Sequence, residues 1–185
     1  TRGPPGTHDL ARGEAVLAAH RAGRPVRLPR YDKWHDRPVP PSRWPAPRPL
    51  DLLVFEGWCV GVPPQPDAAL VRPVNALERD DDPGAAWRRA VNAQLAGPYR
   101  ALWSHIDLLV ALHAPGFDVV PAWRAGQEAS MRARRGGAGM TAAELARFVA
   151  HFERLTRHAL RVMPRHADLL VTLDTARGAR MRPPR

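Results

Sequence analysis

Leu50-Asp51-Leu52-Leu53-Val54-Phe55-Glu56-Gly57-Trp58 is the stretch on which the fold turns. Five of its first six residues are apolar with little alternation, as in a strand covered on both faces, and its shortness argues for a strand over a buried helix segment. It closes on a carboxylate and a glycine. In open α/β sheets ligands bind just beyond the carboxyl ends of the strands, so Glu56 stands where an acid that holds Mg²⁺ or orients water would be useful. A surface acid opening a turn explains it equally well.

Two similar runs lie further on, Ile106 to Leu112 and Asp168 to Leu173. Helical signals separate them. Pro83, placed as a first-turn residue after Asp82, opens a helix through Trp87, Val91 and Leu95. Pro98 starts a shorter one through Leu102 and Trp103. From Pro121 a helix carries Trp123, Arg124, Gln127 and Glu128 to the break at Gly136-Gly137. Thr141 and Glu144 form a capping box ahead of Leu145, Phe148, Val149, Phe152, Leu155 and Leu160, an apolar stripe that ends before Pro164 and reads as core. Alternating strands and helices predict an α/β fold, a parallel sheet flanked by helices. One domain over residues 1–185 suits the length.

Working toward the start, thirteen of the 21 prolines fall in residues 1–66, so the first third is loop-rich. Residues 34–49 form the longest loop, and Trp34 and Trp44 argue that it packs over the domain, because flexible linkers lack large apolar anchors. Asp9 to Ala22 reads as a helix closed by Gly23 and Pro25. Ahead of it, Arg2-Gly3-Pro4-Pro5-Gly6-Thr7-His8-Asp9 places a glycine turn and polar side chains at a helix start, which favours anions, unless Thr7 or Asp9 is simply the N-cap. Tyr31-Asp32-Lys33, after an apparent edge strand, suits a substrate hydroxyl or carboxylate, or an exposed ion pair.

The 28 Lys+Arg against 18 Asp+Glu give a formal charge of +10, and Lys33 is the sole lysine. So lopsided a ratio reflects codon bias, and the arginines are scattered among acids, as at Glu78-Arg79-Asp80, instead of forming the stripe of a nucleic-acid surface. No nucleic-acid partner is expected. No apolar run approaches the ~20 residues of a membrane span. Cys59 is the only cysteine, which excludes an intramolecular disulfide framework and suits a reducing, cytoplasmic setting. The eight histidines include no zinc-binding spacing. Arg124, Arg132, Arg134 and Arg135 precede Gly136-Gly137-Ala138-Gly139. Arginines beside a glycine-rich hinge suit a lid over residues 124–140 that clamps phosphates; a solvated helix face is the plainer alternative. A Walker A loop, G-x-x-x-x-G-K-[ST], does not occur in these residues.

Several phrases, in this order, resemble the D-glycerate 3-kinase-like group of P-loop kinases: Thr1-Arg2-Gly3 with Pro5-Gly6-Thr7-His8-Asp9, Leu28-Pro29-Arg30-Tyr31-Asp32-Lys33, Phe55-Glu56-Gly57-Trp58, Val74-Asn75-Ala76-Leu77-Glu78-Arg79, Trp123-Arg124 with Gln127-Glu128, Gly139-Met140-Thr141, and Ala167-Asp168 with Leu173-Asp174. The resemblance implies phosphoryl transfer from ATP with Mg²⁺ to a hydroxyl of a small sugar acid. It implies Glu56 as the strand-end acid near metal and phosphates, with Asp9 as its catalytic companion. Arg2, Thr7, His8, Asp32, Lys33 and Trp58 fall on the substrate side, and Arg124, Arg132 and Arg135 on the nucleotide side or lid. It also implies a first strand and Walker A loop ahead of Thr1, beside the strand from Leu50 to Phe55. These residues are then expected to be the C-terminal portion of a longer kinase, or else a shortened relative that binds a small anion or a protein partner without turnover. The oligomeric state is left open.

Overall fold

Asp9 starts the first helix through its own side chain: Oδ1 accepts the Arg12 amide at 3.1 Å, capping α1 (Leu10–Arg21). The computed structural model describes residues 3–32, 35, 37–47, 50–135 and 139–182, with the side chains of Arg134, Arg135 and Arg182 outside that description. Arg2, Lys33, Trp34 and the Gly136-Gly137 break therefore lie outside the described residues.

After α1 come a two-stranded antiparallel ribbon, β1 (Tyr31–Asp32) with β2 (Arg37–Pro38), and single 3-10 turns at Pro41–Arg43 and Asp67–Leu70. The helices α2 (Ala76–Asp81), α3 (Ala86–Ala96) and α4 (Pro98–Trp103) lead to β3 (Val110–His113). Then follow α5 (Val119–Arg135), α6 (Ala142–His166), β4 (Leu169–Leu173) and β5 (Ala179–Arg182). The sheet order is β3-β4-β5: β3 and β4 are parallel, with Val110 opposite Leu169, and β5 returns antiparallel to β4. The second and third apolar runs thus form a parallel pair, although Ile106 to Leu109 precede the strand, and the sheet is mixed.

The Leu50 to Phe55 run departs from the expected strand. It pairs with no described segment, and Leu52 and Val54 are 76% and 78% exposed. A strand exists through its hydrogen-bonded neighbour, and nothing among the described residues occupies either edge. β3 is an edge strand of its sheet, with Leu112 69% exposed.

Other departures are local. α3 begins at Ala86, after Pro83, because Asp82 turns its carboxylate forward to accept the Trp87 and Arg88 amides. α6 runs through Pro164. A proline there removes the amide that would reach the Leu160 carbonyl, and His113 Nε2 donates to that carbonyl instead, at 2.9 Å. The capping box forms as expected, with Thr141 and Glu144 bonded reciprocally.

The core gathers Cys59, Val62, Leu95, Tyr99, Ala111, Leu155 and Met163. Burial pushes the Cys59 thiol up to about 11, so it stays a protonated, inert core residue. Beside this core, two buried arginines hold four successive carbonyls: Arg154 donates to those of Ala69 and Arg72, and Arg88 to those of Leu70 and Val71. Arg154 pairs with Glu78 and Arg88 with Asp82, so both charges are compensated. Asn75 caps α2 and donates to Ala150 of α6, fixing Glu78 under Arg154. The Val74-to-Arg79 phrase therefore serves the packing of α2 on α6.

Candidate functional site

The segment Gly3 to Asp9 folds back on itself. The Thr7 amide and hydroxyl both donate to the Pro4 carbonyl, at 3.2 and 2.8 Å, and the Gly3 amide donates to the Thr7 hydroxyl at 2.9 Å. Gly3 adopts φ 118°, and a Cβ there would meet Phe152 at 3.3 Å, so the turn and the close approach both call for glycine. Beyond the turn, Asp9 spends Oδ1 on the Arg12 amide and Oδ2 on the Arg12 guanidinium at 3.0 Å. The carboxylate proposed from sequence as catalytic is thus also the helix cap.

The loop is anchored on both sides. The Tyr99 hydroxyl of α4 lies 3.0 Å from the Gly6 amide, which donates to it, and 2.6 Å from His8 Nδ1. Trp58 Nε1 donates to the Gly3 carbonyl at 3.1 Å. Phe55 lies against Trp103, and Trp103 against Tyr99, with centroids 6.2 and 5.5 Å apart. Phe55-Glu56-Gly57-Trp58 is therefore flanked by contacts to the same neighbourhood as Thr7 and His8. Glu56 itself is exposed, and no described side chain pairs with it.

From Trp58 an aromatic line crosses α6. Its ring meets Phe152 edge-on at 5.1 Å, Phe152 meets Phe148 at 4.9 Å, and the Arg124 guanidinium sits over Phe148 at 5.4 Å. Arg124 also pairs with Glu128 at 2.9 Å, and Glu128 accepts the Met140 amide at 3.0 Å through its other oxygen. Arg132 donates to the Met140 carbonyl, and a Cβ on Gly139 would collide with both Glu128 and Arg132. The Met140 amide is the largest cause holding the Glu128 carboxyl below its usual range; burial opposes it, and Arg124 and Arg132 add to it.

The other sequence candidates fall elsewhere. Asp32 sits in the β1–β2 ribbon, where its carboxylate accepts the His35 amide and meets His35 Nδ1 at 2.6 Å. Neither of these two contacts reaches Glu56, Asp9 or Arg124. Arg2 and Lys33 lie outside the described residues, as does the Arg135 side chain. A shallow open cleft beside the loop is lined by Pro4, Pro5, Trp58, Trp87, His151 and Leu155 among others; among the described sequence candidates only Trp58 lines it. Among the described residues no three His, Cys, Asp or Glu side chains are grouped to hold a metal, and no helix is long and apolar enough to cross a membrane.

Sequence reasoning passed over Tyr99, the anchor of the loop, and read Phe148 and Phe152 only as core. The signal for Tyr99 was weak: one of just two tyrosines, in a short helix, 91 positions from His8. Glu128 was visible as four residues after Arg124, the spacing of a helical ion pair.

No family model matches the chain. It is 34% identical over 183 residues to the uncharacterized kinase mug58 of Schizosaccharomyces pombe, across 94% of this chain and 60% of that protein. It is 33% identical over 161 residues to the chloroplastic D-glycerate 3-kinase of Arabidopsis thaliana, across 82% of this chain and 32% of that protein. The chain thus spans between a third and three fifths of the length of these relatives. Among solved structures, D-glycerate 3-kinase from Cryptococcus neoformans superposes with a TM-score of 0.73 at 24% identity, over 98% of this chain and 69% of that one, a likeness of fold. Along most of its length the chain is thus similar to the D-glycerate 3-kinase-like group of kinases.

Proposed function

We propose that this chain forms the acceptor side of a small-molecule kinase that transfers the γ-phosphoryl group of ATP to a hydroxyl of a sugar acid such as D-glycerate. The observation that carries the reading is the unbroken line of contacts Gly3–Trp58–Phe152–Phe148–Arg124. It links three stretches which in the family resemblance are the acceptor loop, the strand-end acid and the lid.

In this reading Arg2, Thr7, His8, Trp58, Asp32 and Lys33 bind the acid, while Asp9 holds the loop to α1. Mg²⁺ keeps several waters and takes one or two carboxylates besides phosphate oxygens, and the single exposed carboxylate of Glu56 fits that demand. Magnesium-bound ATP supplies the phosphoryl group and spreads its charge; positioning and charge stabilisation are what the protein adds. Arg124 and Arg132 are suited to clamp phosphate oxygens, and Arg124 does so by sharing or leaving Glu128. The loop that cradles the donor phosphates is, in this reading, supplied by residues other than these 185. The exposed apolar side chains of Leu52 and Val54, and of Leu108, Val110 and Leu112 at the edge strand, support the docking of a further strand there.

The test is phosphotransfer from ATP to a panel of small hydroxy acids, run on the 185-residue chain and on the product extended by whatever coding sequence lies in frame upstream of Thr1. Transfer to D-glycerate is expected from an extended product carrying a Walker A loop, with little from the 185 residues alone. Robust turnover by the short chain, or none by the extended one, overturns the reading. A non-catalytic binder of a small anion or protein partner is the second reading; an initiator codon immediately before Thr1 would select it.

A further inference from the structure

Two of the loop's polar groups share one buried atom, the Tyr99 hydroxyl oxygen. Tyr99 is 1% exposed, and the Gly6 amide and His8 Nδ1 reach that hydroxyl at 3.0 and 2.6 Å, with the His8 main-chain amide also directed at it. A backbone amide can only donate, so the oxygen accepts from Gly6. The hydroxyl proton then needs an acceptor, and His8 Nδ1 is the one within reach. Were Nδ1 protonated instead, the oxygen would accept from the ring as well and its own proton would be left unpartnered in a buried site, an expensive arrangement. Satisfying both groups requires Nδ1 to be bare, which puts the single ring proton of a neutral imidazole on Nε2. No described side chain bonds to Nε2, and His8 as a residue is exposed.

We propose that Tyr99 is a positioning residue that holds His8 as its Nε2–H tautomer, so that the loop offers a neutral hydrogen-bond donor to an oxygen of an acidic ligand. The donor role rests on the acceptor-side reading of the loop; the tautomer does not. It has a chemical corollary. A ring nitrogen that already carries hydrogen cannot take the proton of an attacking hydroxyl, and the other nitrogen is blocked by Tyr99. His8 therefore orients the acid and does not act as the base. Partial burial, which holds the His8 pKa below the usual imidazole value, agrees with a neutral side chain.

The experiment is long-range ¹H–¹⁵N correlation of the histidine rings in the ¹⁵N-labelled full chain near pH 7.5, with His8 identified by the signals lost in His8→Gln. A single tautomer is expected, with bare Nδ1 and protonated Nε2. Tyr99→Phe is expected to relax these shifts toward the averaged values of a solvent-exposed imidazole. A protonated Nδ1, or averaged shifts already in the unmodified chain, overturns the proposal even if Tyr99→Phe fails to fold. D-glycerate is then titrated into the same sample: a shift at Nε2 supports the donor role. A fixed tautomer with no such shift discards the acceptor reading of this loop while leaving the Tyr99–His8 geometry intact.

Discussion

Arg154 and Glu78, 76 positions apart, meet in a two-pronged ion pair, with Nε–Oε1 and Nη2–Oε2 both at 2.7 Å. Both side chains are buried, at 8% and 2% exposure, so removing one strands the other's charge in a poorly solvated site. Glu78→Ala is expected to lower the unfolding free energy by about 3–5 kcal/mol in urea titrations. A loss within the range of exposed ion pairs, about 0–1 kcal/mol, would mean that water reaches Arg154.

Glu128 couples Arg124 to the start of α6, and the two readouts should separate. Glu128→Gln keeps acceptor and size but removes the charge that fixes Arg124. It is expected to reduce phosphotransfer by the extended, active product by about tenfold, roughly 1.4 kcal/mol, with a smaller effect on acceptor KM. Gly139→Ala, which drives a methyl into Glu128 and Arg132, is expected to destabilise by about 1–3 kcal/mol. Glu128 also gives an acid limb to stability: its contribution is present above the unfolded carboxylate pKa, about 4, and is lost as pH falls through the lower folded value.

His158 sets a second limb. It is 4% exposed, with Nε2 bonded to the Pro63 carbonyl at 3.0 Å and Nδ1 to Arg161 at 3.3 Å. Burial is the first cause holding its pKa down; Arg161 and His166 add to this, and the Pro63 bond opposes it. The unfolded chain takes up a proton below about pH 6.5, which the folded chain refuses until lower pH. Stability is therefore full above that point and declines as pH drops toward the folded value. Urea titrations at pH 8 and pH 5 should show the fall, and His158→Gln should flatten it.

The bond from His113 to the Leu160 carbonyl replaces one that Pro164 cannot make. His113→Ala is expected to cost about 1 kcal/mol, the order of one hydrogen bond. In a Pro164→Ala background the restored amide at 164 serves Leu160, so the same change should cost less. Equal penalties in both backgrounds would show that the two residues do not share the carbonyl.

What the sequence made legible were features set by neighbours in the chain: the Asp9 cap, the Thr141–Glu144 box, the short helix from Pro98 and the parallel runs ending at Leu112 and Leu173. Leu50 to Phe55 misled because apolar composition records what a strand would bury, whereas strandness needs a partner that composition cannot supply. Pro164 misled because a breaker was taken at face value when His113, 51 residues before it, had repaired the break. In the site, the residues of one phrase, Thr7 to Asp9, could be read together. Tyr99, Phe152 and Glu128 entered only through space, since each acts on a group whose position in the chain gives no hint of the meeting.

The two guanidinium groups that grasp the carbonyls of residues 69–72 recognise main chain, which every amino acid shares. Side chains at the exposed positions Val71 and Arg72 are free to drift without loosening that grip. Lysine at 88 or 154 could not take over, because a single ammonium cannot span two carbonyls and a carboxylate in the same plane. Among homologues the variable stretch and the invariant arginines that hold it should therefore lie side by side, a contrast that an alignment would expose at once.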